Sequence, residues 1–264
     1  MFVYRGSTAL ITGASKGLGK VFAETLAARG MNLVLVARSG DALQALAEDL
    51  TARYAVQSVA LNADLGNPDA AMQISEELER RGIQVDLLVN NAGLGLTGSF
   101  LSHDLAKEQS AIQVNVQAVV ALSHLFGSLM AKRGSGGIIN LASNASFQPL
   151  PYMATYAATK AFVLFFSEAL QFELAGTGVH VMAACPGPTA TRFFDGVSTN
   201  VSPKDMDSPE SVVQKTLQAF DRRKAVVYPG RTSVRATTWL SRLLPRLLTV
   251  RIAAIASGKM GLHG

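Results

Sequence analysis

Cysteine is almost absent from this chain. One residue in 264, Cys185, allows no internal disulfide and no cysteine-based zinc site, the usage expected of a reducing compartment. Charge is scarce too: charged residues make up 16% against 48% hydrophobic, too apolar for disorder and typical of strands buried on both faces. The histidines His103, His124, His180 and His263 share no ligand spacing, which argues against a catalytic metal. No signal-peptide core follows Met1-Phe2-Val3-Tyr4-Arg5, so a cytoplasmic protein is the expectation. The apolar stretch 239–256 is interrupted by Arg242, Pro245, Arg246 and Arg251 and is read as non-spanning. Acidic residues vanish after Asp221. From Arg222 onward there are nine Lys/Arg and no Asp/Glu, leaving 15 cations against 19 anions before it, so the net charge of +5 belongs to the C-terminal end. A nucleic-acid partner would ask for a basic face interleaved with aromatics, and the tail offers one Trp, so none is expected.

Apolar runs alternate with helix-period runs from the start, the pattern of a parallel sheet wrapped by helices. Strands are expected over 7–12, 32–37, 56–61, 85–90, 137–141, 180–184 and 225–228. Helices are expected over 17–28, 41–54, 68–81, 105–132, 153–174 and 209–220, the last opened by Ser208-Pro209 as N-cap and first helical position. The proline-rich stretch 186–207 has no helical period and reads as a flap over the carboxyl ends of the strands, where open parallel sheets bind ligands.

The first strand runs into Thr12-Gly13-Ala14-Ser15-Lys16-Gly17-Leu18-Gly19 and then a helix. Glycines there let the backbone approach a diphosphate, and the helix N-terminus supplies unpaired N–H groups. The spacing is G-x-x-x-G-x-G rather than G-x-G-x-x-G. At the end of the second strand, where a fold selecting NAD places a carboxylate against the ribose 2′-hydroxyl, this chain has Ala37, Arg38 and Ser39. Arg38 and Lys16 leave charge for a 2′-phosphate, so the expected cofactor is NADP(H). Tyr156 and Lys160, spaced i, i+4, share one helix face. A nearby ammonium stabilises phenolate and makes tyrosine a usable acid/base. Ser143 ends the preceding strand within reach of the same carbonyl oxygen, Asn115 inside a long helix marks a kink or a water site, and Asn90-Asn91-Ala92-Gly93 closes the fourth strand.

Together these elements, with Asp64 after the third strand and Pro186-Gly187 leading to Thr191, strongly resemble the short-chain dehydrogenase/reductase superfamily from about Thr8 to Tyr228. The loop 186–193 and Leu243-Leu244-Pro245-Arg246 resemble the branch of 3-oxoacyl and 17β-hydroxysteroid reductases. The resemblance implies an NADPH-dependent oxidoreductase that reduces a ketone or aldehyde, or oxidises a secondary alcohol. Lys160 would hold the nicotinamide ribose and depress the Tyr156 pKa, Tyr156 would protonate the carbonyl oxygen, Ser143 would orient it, and Asn115 would keep a relay water. Cofactor contacts are implied at Gly13, Ser15, Lys16, Gly17, Leu18, Gly19, Arg38, Asp64 (on the adenine), Leu65, Asn91, Ala92, Gly93, Pro186, Gly187, Thr189 and Thr191, besides Tyr156 and Lys160. The alternative is an NADP-binding redox sensor without turnover, which would not need Ser143, Tyr156 and Lys160 together.

The expected architecture is one doubly wound α/β Rossmann domain over 1–230, a seven-stranded parallel sheet in order 3-2-1-4-5-6-7, followed by a basic amphipathic extension over 231–264. Phe147, Tyr152, Phe193 and Phe194 flank the site as candidates for an apolar substrate wall, and ordinary loop packing accounts for each equally well. Cys185 reads as a small buried hydrophobe. In the tail Arg231, Arg235 and Arg242 share a sector of one helix, and Pro245 starts another carrying Arg246 and Arg251. Leu240, Leu243, Leu244, Leu247, Leu248, Ile252 and Ile255 offer an apolar surface for peripheral membrane contact; packing in an oligomer or over the substrate pocket is the alternative. A homodimer or homotetramer is expected by analogy with the family.

Overall fold

The computed structural model describes residues 2–191, 193, 200–232, 235, 238–239 and 243–263. Strands β1 (Thr8–Thr12), β2 (Asn32–Ala37), β3 (Ser58–Asn62) and β4 (Leu87–Asn90) alternate with helices α1 (Gly17–Ala28), α2 (Gly40–Tyr54) and α3 (Ala70–Arg80). Helices α4 (Leu105–Ile112) and α5 (Ala118–Arg133) lead to β5 (Gly136–Leu141). Then come α6 (Ala154–Glu173), β6 (Val179–Ala184), α7 (Pro209–Asp221), the two-residue β7 (Val226–Val227) and, after Pro245, α8 (Arg246–Lys259). All strand pairs are parallel and their order is β3-β2-β1-β4-β5-β6-β7, as the sequence predicts.

The period-2 geometry of the strands divides the core in two. Along β1, Ala9 and Ile11 join Phe22 and Leu26 of α1, Leu43 and Leu50 of α2 and Phe220 of α7. Leu10, between them, faces the other side with Ile74 and Leu78 of α3 and Leu122 and Phe126 of α5. Each such fully buried side chain contributes about 1.5–3 kcal/mol. Both faces are covered, which is why the central strands are continuous apolar runs.

Several expectations needed adjusting: the third strand is Ser58–Asn62 rather than 56–61, the third helix Ala70–Arg80 rather than 68–81, and the last strand only Val226–Val227. The fourth strand starts at Leu87, not at 85, because Asp86 acts as a clamp at the amino ends of the central strands: its carboxylate accepts from the Thr8 N–H at 2.9 Å and from Arg133 at 3.1 Å. The single helix over 105–132 is two helices joined by a π-helical turn, Gln113–Gln117, centred on Asn115. By length and composition Leu105–Arg133 would suffice to cross a membrane. Here it covers the sheet: Val114, Ala118, Leu122, Phe126 and Met130 are core residues.

Inside the apolar layers a polar chain links four elements. Asn90 of β4 donates to Ser123 of α5 at 3.1 Å and to Asn140 of β5 at 2.9 Å, and Asn140 donates to Ser167 of α6 at 2.9 Å. All four side chains are buried. Such a network fixes the relative positions of strands and helices, because shifting any member leaves a buried polar group unpaired at about 1–3 kcal/mol.

The stretch 186–207 is closed at its base by a parallel bridge between Thr189 and Asp207. Arg192 and Phe194 in that stretch, and Leu240 and Arg242 in the tail, lie outside the described residues.

Candidate active site

Strand order reverses at β1, whose neighbours β2 and β4 lead to crossovers on opposite faces, and such a point opens a crevice at the carboxyl ends. A cavity of about 820 Å³ lies there. One end is lined by Gly13, Ser15, Lys16, Gly17, Leu18, Ala37, Arg38, Asp64 and Leu65. The middle holds Asn91, Ala92, Gly93, Ser143, Tyr156, Lys160, Pro186, Gly187, Thr189 and Thr191. Leu94, Leu150, Met153, Phe193, Leu244, Ile252, Ala253, Ala256 and Met260 make the rest largely apolar.

The glycine loop is held open by a small set of bonds. The Thr12 hydroxyl accepts from the N–H groups of Asn91 and Ala92, both at 3.0 Å, and the Asn91 amide donates to the carbonyl of Thr12 at 2.8 Å. Gly13 has φ +65°, and a Cβ on it would come 2.9 Å from Ala92 Cα. Gly19 does not line the cavity; a Cβ there would lie 2.3 Å from the Gly13 carbonyl oxygen, so this glycine lets α1 press against the loop. Lys16, the N-cap of α1, makes no side-chain cap bond, and the first turn carries no acidic residue. The loop therefore presents bare helix N–H groups and the Lys16 cation to the cavity, and Arg38, after β2, adds a second cation. These residues fit a dinucleotide, which would have its diphosphate at the α1 N-terminus, its adenosine end by Arg38 and Asp64, and its nicotinamide end toward Gly93; a Cβ on Gly93 would stand 3.4 Å from Lys160 Nζ.

Ser143 stands at the end of β5 as N-cap of a short turn, Asn144–Phe147, accepting from the Ala145 N–H at 3.1 Å. Within that turn Ser146 donates to the Lys160 carbonyl at 2.8 Å, tying the strand end to α6. Lys160 is only 5% exposed. Its Nζ donates to the Leu141 carbonyl at 2.6 Å and lies 5.9 Å from the centre of the Tyr156 ring. Burial lowers its pKa to about 8.

The Tyr156 phenol departs from expectation. Burial pushes its pKa above the usual value of 10, only partly opposed by the hydrogen bond with Ser143, and the lysine does not depress it. The physical reason is geometric: the Lys160 ammonium sits against the Leu141 carbonyl, 5.9 Å from the centre of the Tyr156 ring. The phenol is thus held in its proton-donating form.

Asn115 also differs from a simple water holder. Its Oδ1 accepts from the Leu94 N–H at 2.8 Å, and its amide donates to the Leu94 carbonyl at 2.8 Å and to Thr159 at 3.0 Å. Fully buried behind the cavity wall, it ties the loop after β4 to the helix that carries Tyr156 and Lys160.

Of the aromatic candidates, Phe193 lines the cavity with its ring 5.3 Å from that of Tyr156. Phe147 packs on Tyr228 at 5.4 Å and Tyr152 on His263 at 5.9 Å, and neither lines the cavity. Cys185 is buried and its thiol pKa is raised by desolvation. The tail covers the pocket, the alternative given above for Leu244 and Ile252; what the sequence reading missed is Thr249, Ala253 and Ala256, which lie with Ile252 on one side of α8. Their spacing of three and four residues was the available signal.

The short chain dehydrogenase family profile matches residues 7–202. Among curated proteins, the ketoacyl reductase HetN of Nostoc sp. is 31% identical over 92% of this chain and 85% of its own length. The very-long-chain 3-oxoacyl-CoA reductase of Bos taurus is 30% identical over 94% of this chain and 78% of its own. Among solved structures, a short-chain dehydrogenase from Sphingobium yanoikuyae in complex with NADPH superposes with TM-score 0.80 at 36% identity, covering 84% of this chain and 87% of that one. A short chain dehydrogenase/reductase from Burkholderia phymatum in complex with NAD also gives 0.80, at 26% identity, covering 91% and 94%. Fold, cavity and sequence agree: this chain belongs to the short-chain dehydrogenase family of nicotinamide-dependent oxidoreductases.

Proposed function

We propose that the protein is an NADPH-dependent reductase of an apolar ketone or aldehyde, acyl or steroid-like in character. The observation that carries this reading is the position of Tyr156, Ser143 and Lys160 where the polar part of the cavity meets an apolar chamber. Bound cofactor supplies a hydride donor. The protein supplies the rest. A carbonyl oxygen placed between Ser143 and Tyr156 accepts hydrogen bonds from both hydroxyls, and the phenol, kept protonated by burial, gives its proton to that oxygen. Charged Lys160, beside Gly93, is the cation that would hold the nicotinamide-side ribose. Leu94, Met153, Phe193, Ile252 and Met260 exclude water and favour an apolar body on the substrate. The 3-oxoacyl reductases among the relatives support the same substrate class. A redox sensor would need the cradle but not this convergence of three groups.

The reading includes NADP over NAD, supported by Arg38 and Lys16 in the cavity wall and by the apolar Ala37 where an NAD enzyme would place a carboxylate. It also includes a homodimer or homotetramer, supported by exposed apolar side chains on α4, α5 and α6: Leu105, Ile112, Leu129, Phe162, Phe165 and Phe172.

Replacing Tyr156 by Phe keeps the ring and removes the proton. Turnover should fall by about 10²–10⁴ while NADPH binding, followed by cofactor fluorescence, is retained; a variant keeping more than about a tenth of kcat, a barrier change under roughly 1.4 kcal/mol, would defeat the assignment. Wild-type kcat/KM should favour NADPH by at least about tenfold, since charge-assisted bonds to a phosphate are worth about 1.5–3 kcal/mol each. Ala37→Asp with Arg38→Ala should reverse that preference, and equal values for NADH and NADPH in the wild type would count against the reading. Lys160 is protonated below its lowered pKa of about 8 and neutral above it. On a pH profile, kcat/KM for NADPH should therefore be level near neutrality and decline above about pH 8. Lys160→Met should be slower throughout and lack that limb; a limb that survives belongs to another group. Analytical ultracentrifugation should give a mass of two or four chains, lowered by Phe165→Glu, and a monomeric wild type would remove the oligomer from the proposal.

A further inference from the structure

Helix α8 has two apolar sides with different surroundings. Thr249, Ile252, Ala253 and Ala256 line the cavity. Leu247 and Ile255 point to solvent, 79% and 62% exposed, and are joined there by Leu248 and by Leu243 just before Pro245, itself 79% exposed. On the same exposed surface stand Arg251 and Lys259, and Arg246 is exposed at the start of the helix. Leu247, Arg251, Ile255 and Lys259 follow one another at intervals of four, so apolar and cationic groups share a single stripe of the helix.

No carboxylate offsets these cations within the segment, since the sequence from Arg222 onward contains no Asp or Glu. That charge pattern decides between occupants. A second copy of the chain docking through this patch would bring it against itself, because a two-fold interface uses the same surface on both sides. Such a contact would gather the cations of both copies with no carboxylate of the segment to pair them. An anionic lipid surface provides what the stripe lacks: phosphate oxygens for the guanidinium groups and an acyl boundary for the leucines, with the long cationic side chains reaching up to the headgroups.

We infer that the outer face of α8, with Leu243, is a docking surface for an anionic lipid bilayer, on which the protein lies peripherally. The helix has 14 residues, about 21 Å at 1.5 Å each, too short to span a bilayer and suited to the interface. Because its other side is a wall of the cavity, the docked protein presents its apolar chamber next to the lipid. The surface stands independently of the catalytic reading, since binding is measured without turnover.

The experiment is co-sedimentation of the full-length protein with phosphatidylcholine vesicles, with and without about a quarter phosphatidylserine. Binding is expected to the phosphatidylserine vesicles, to weaken by about tenfold or more when salt rises from roughly 0.05 to 0.5 M, and to weaken about thirtyfold in Arg246→Gln/Arg251→Gln. Leu243→Asp/Leu247→Asp should abolish it while leaving turnover of a short water-soluble carbonyl unchanged, because neither leucine lines the cavity. Failure to bind either vesicle, or equal binding to both, overturns the inference. So does loss of oligomer mass in Leu243→Asp/Leu247→Asp without vesicle binding by the wild type, which would make the face a contact between copies. Vesicle binding by a protein inert on every carbonyl would retain this surface and remove the catalytic proposal.

Discussion

The site depends on how closely two strand ends can approach each other. Where β1 and β4 leave the sheet, the Gly13 backbone packs against Ala92 with no room for a methyl group, and the Thr12 hydroxyl and Asn91 amide lock that approach. Everything downstream inherits this geometry. The start of α1 is set by the loop, the loop is set by the strand ends, and Gly93 follows directly from Ala92 toward Lys160. Neither face of the sheet can shift to relieve a misfit, because buried hydrogen bonds running from Asn90 through Asn140 to Ser167 fix β4, β5 and α6 together.

The chemistry rests on a different balance, between desolvation and charge. A phenol in a dry cavity stays protonated unless a cation comes close enough to favour its ionised form. Lys160 bonds to Leu141, and burial dominates the tyrosine. Burial lowers the lysine pKa at the same time, so the two groups are displaced in opposite senses by one cause. This arrangement favours donation of a proton, the direction a carbonyl reduction requires.

Much of this was legible in residue order. Strand order followed from apolar runs such as 9–11 and 33–37 interleaved with helical periods, because right-handed crossovers leave few alternatives. That the glycine loop, Ser143, Tyr156 and Lys160 meet at one cavity was legible from residue types recurring at particular intervals. What could not be read was set by distant contacts. Nothing local to Lys160 says that Leu141, nineteen residues earlier, will take its proton-bearing nitrogen. Phe147 and Tyr152 looked like substrate walls by their place in the chain, but Tyr228 and His263 draw them away. The tail posed a choice between packing and exposure, and α8 does both on opposite sides, which a helical period alone does not specify.

The π-helical turn at Gln113–Gln117 has a consequence for how this chain can change length. Such a turn holds one residue more than regular helix, so α4 and α5 are out of phase by about 100°. Deleting a residue on either side of Asn115 would restore an unbroken helix with better backbone geometry, yet would turn α4 against α5 by about 100° and strain the bonds from Asn115 to Leu94 and Thr159. The deletion that most improves the helix is therefore the one that disconnects the loop after β4 from α6. Insertions and deletions are better tolerated in the loops far from this turn, and the chain carries its irregular turn as a fixed reading frame between two helices.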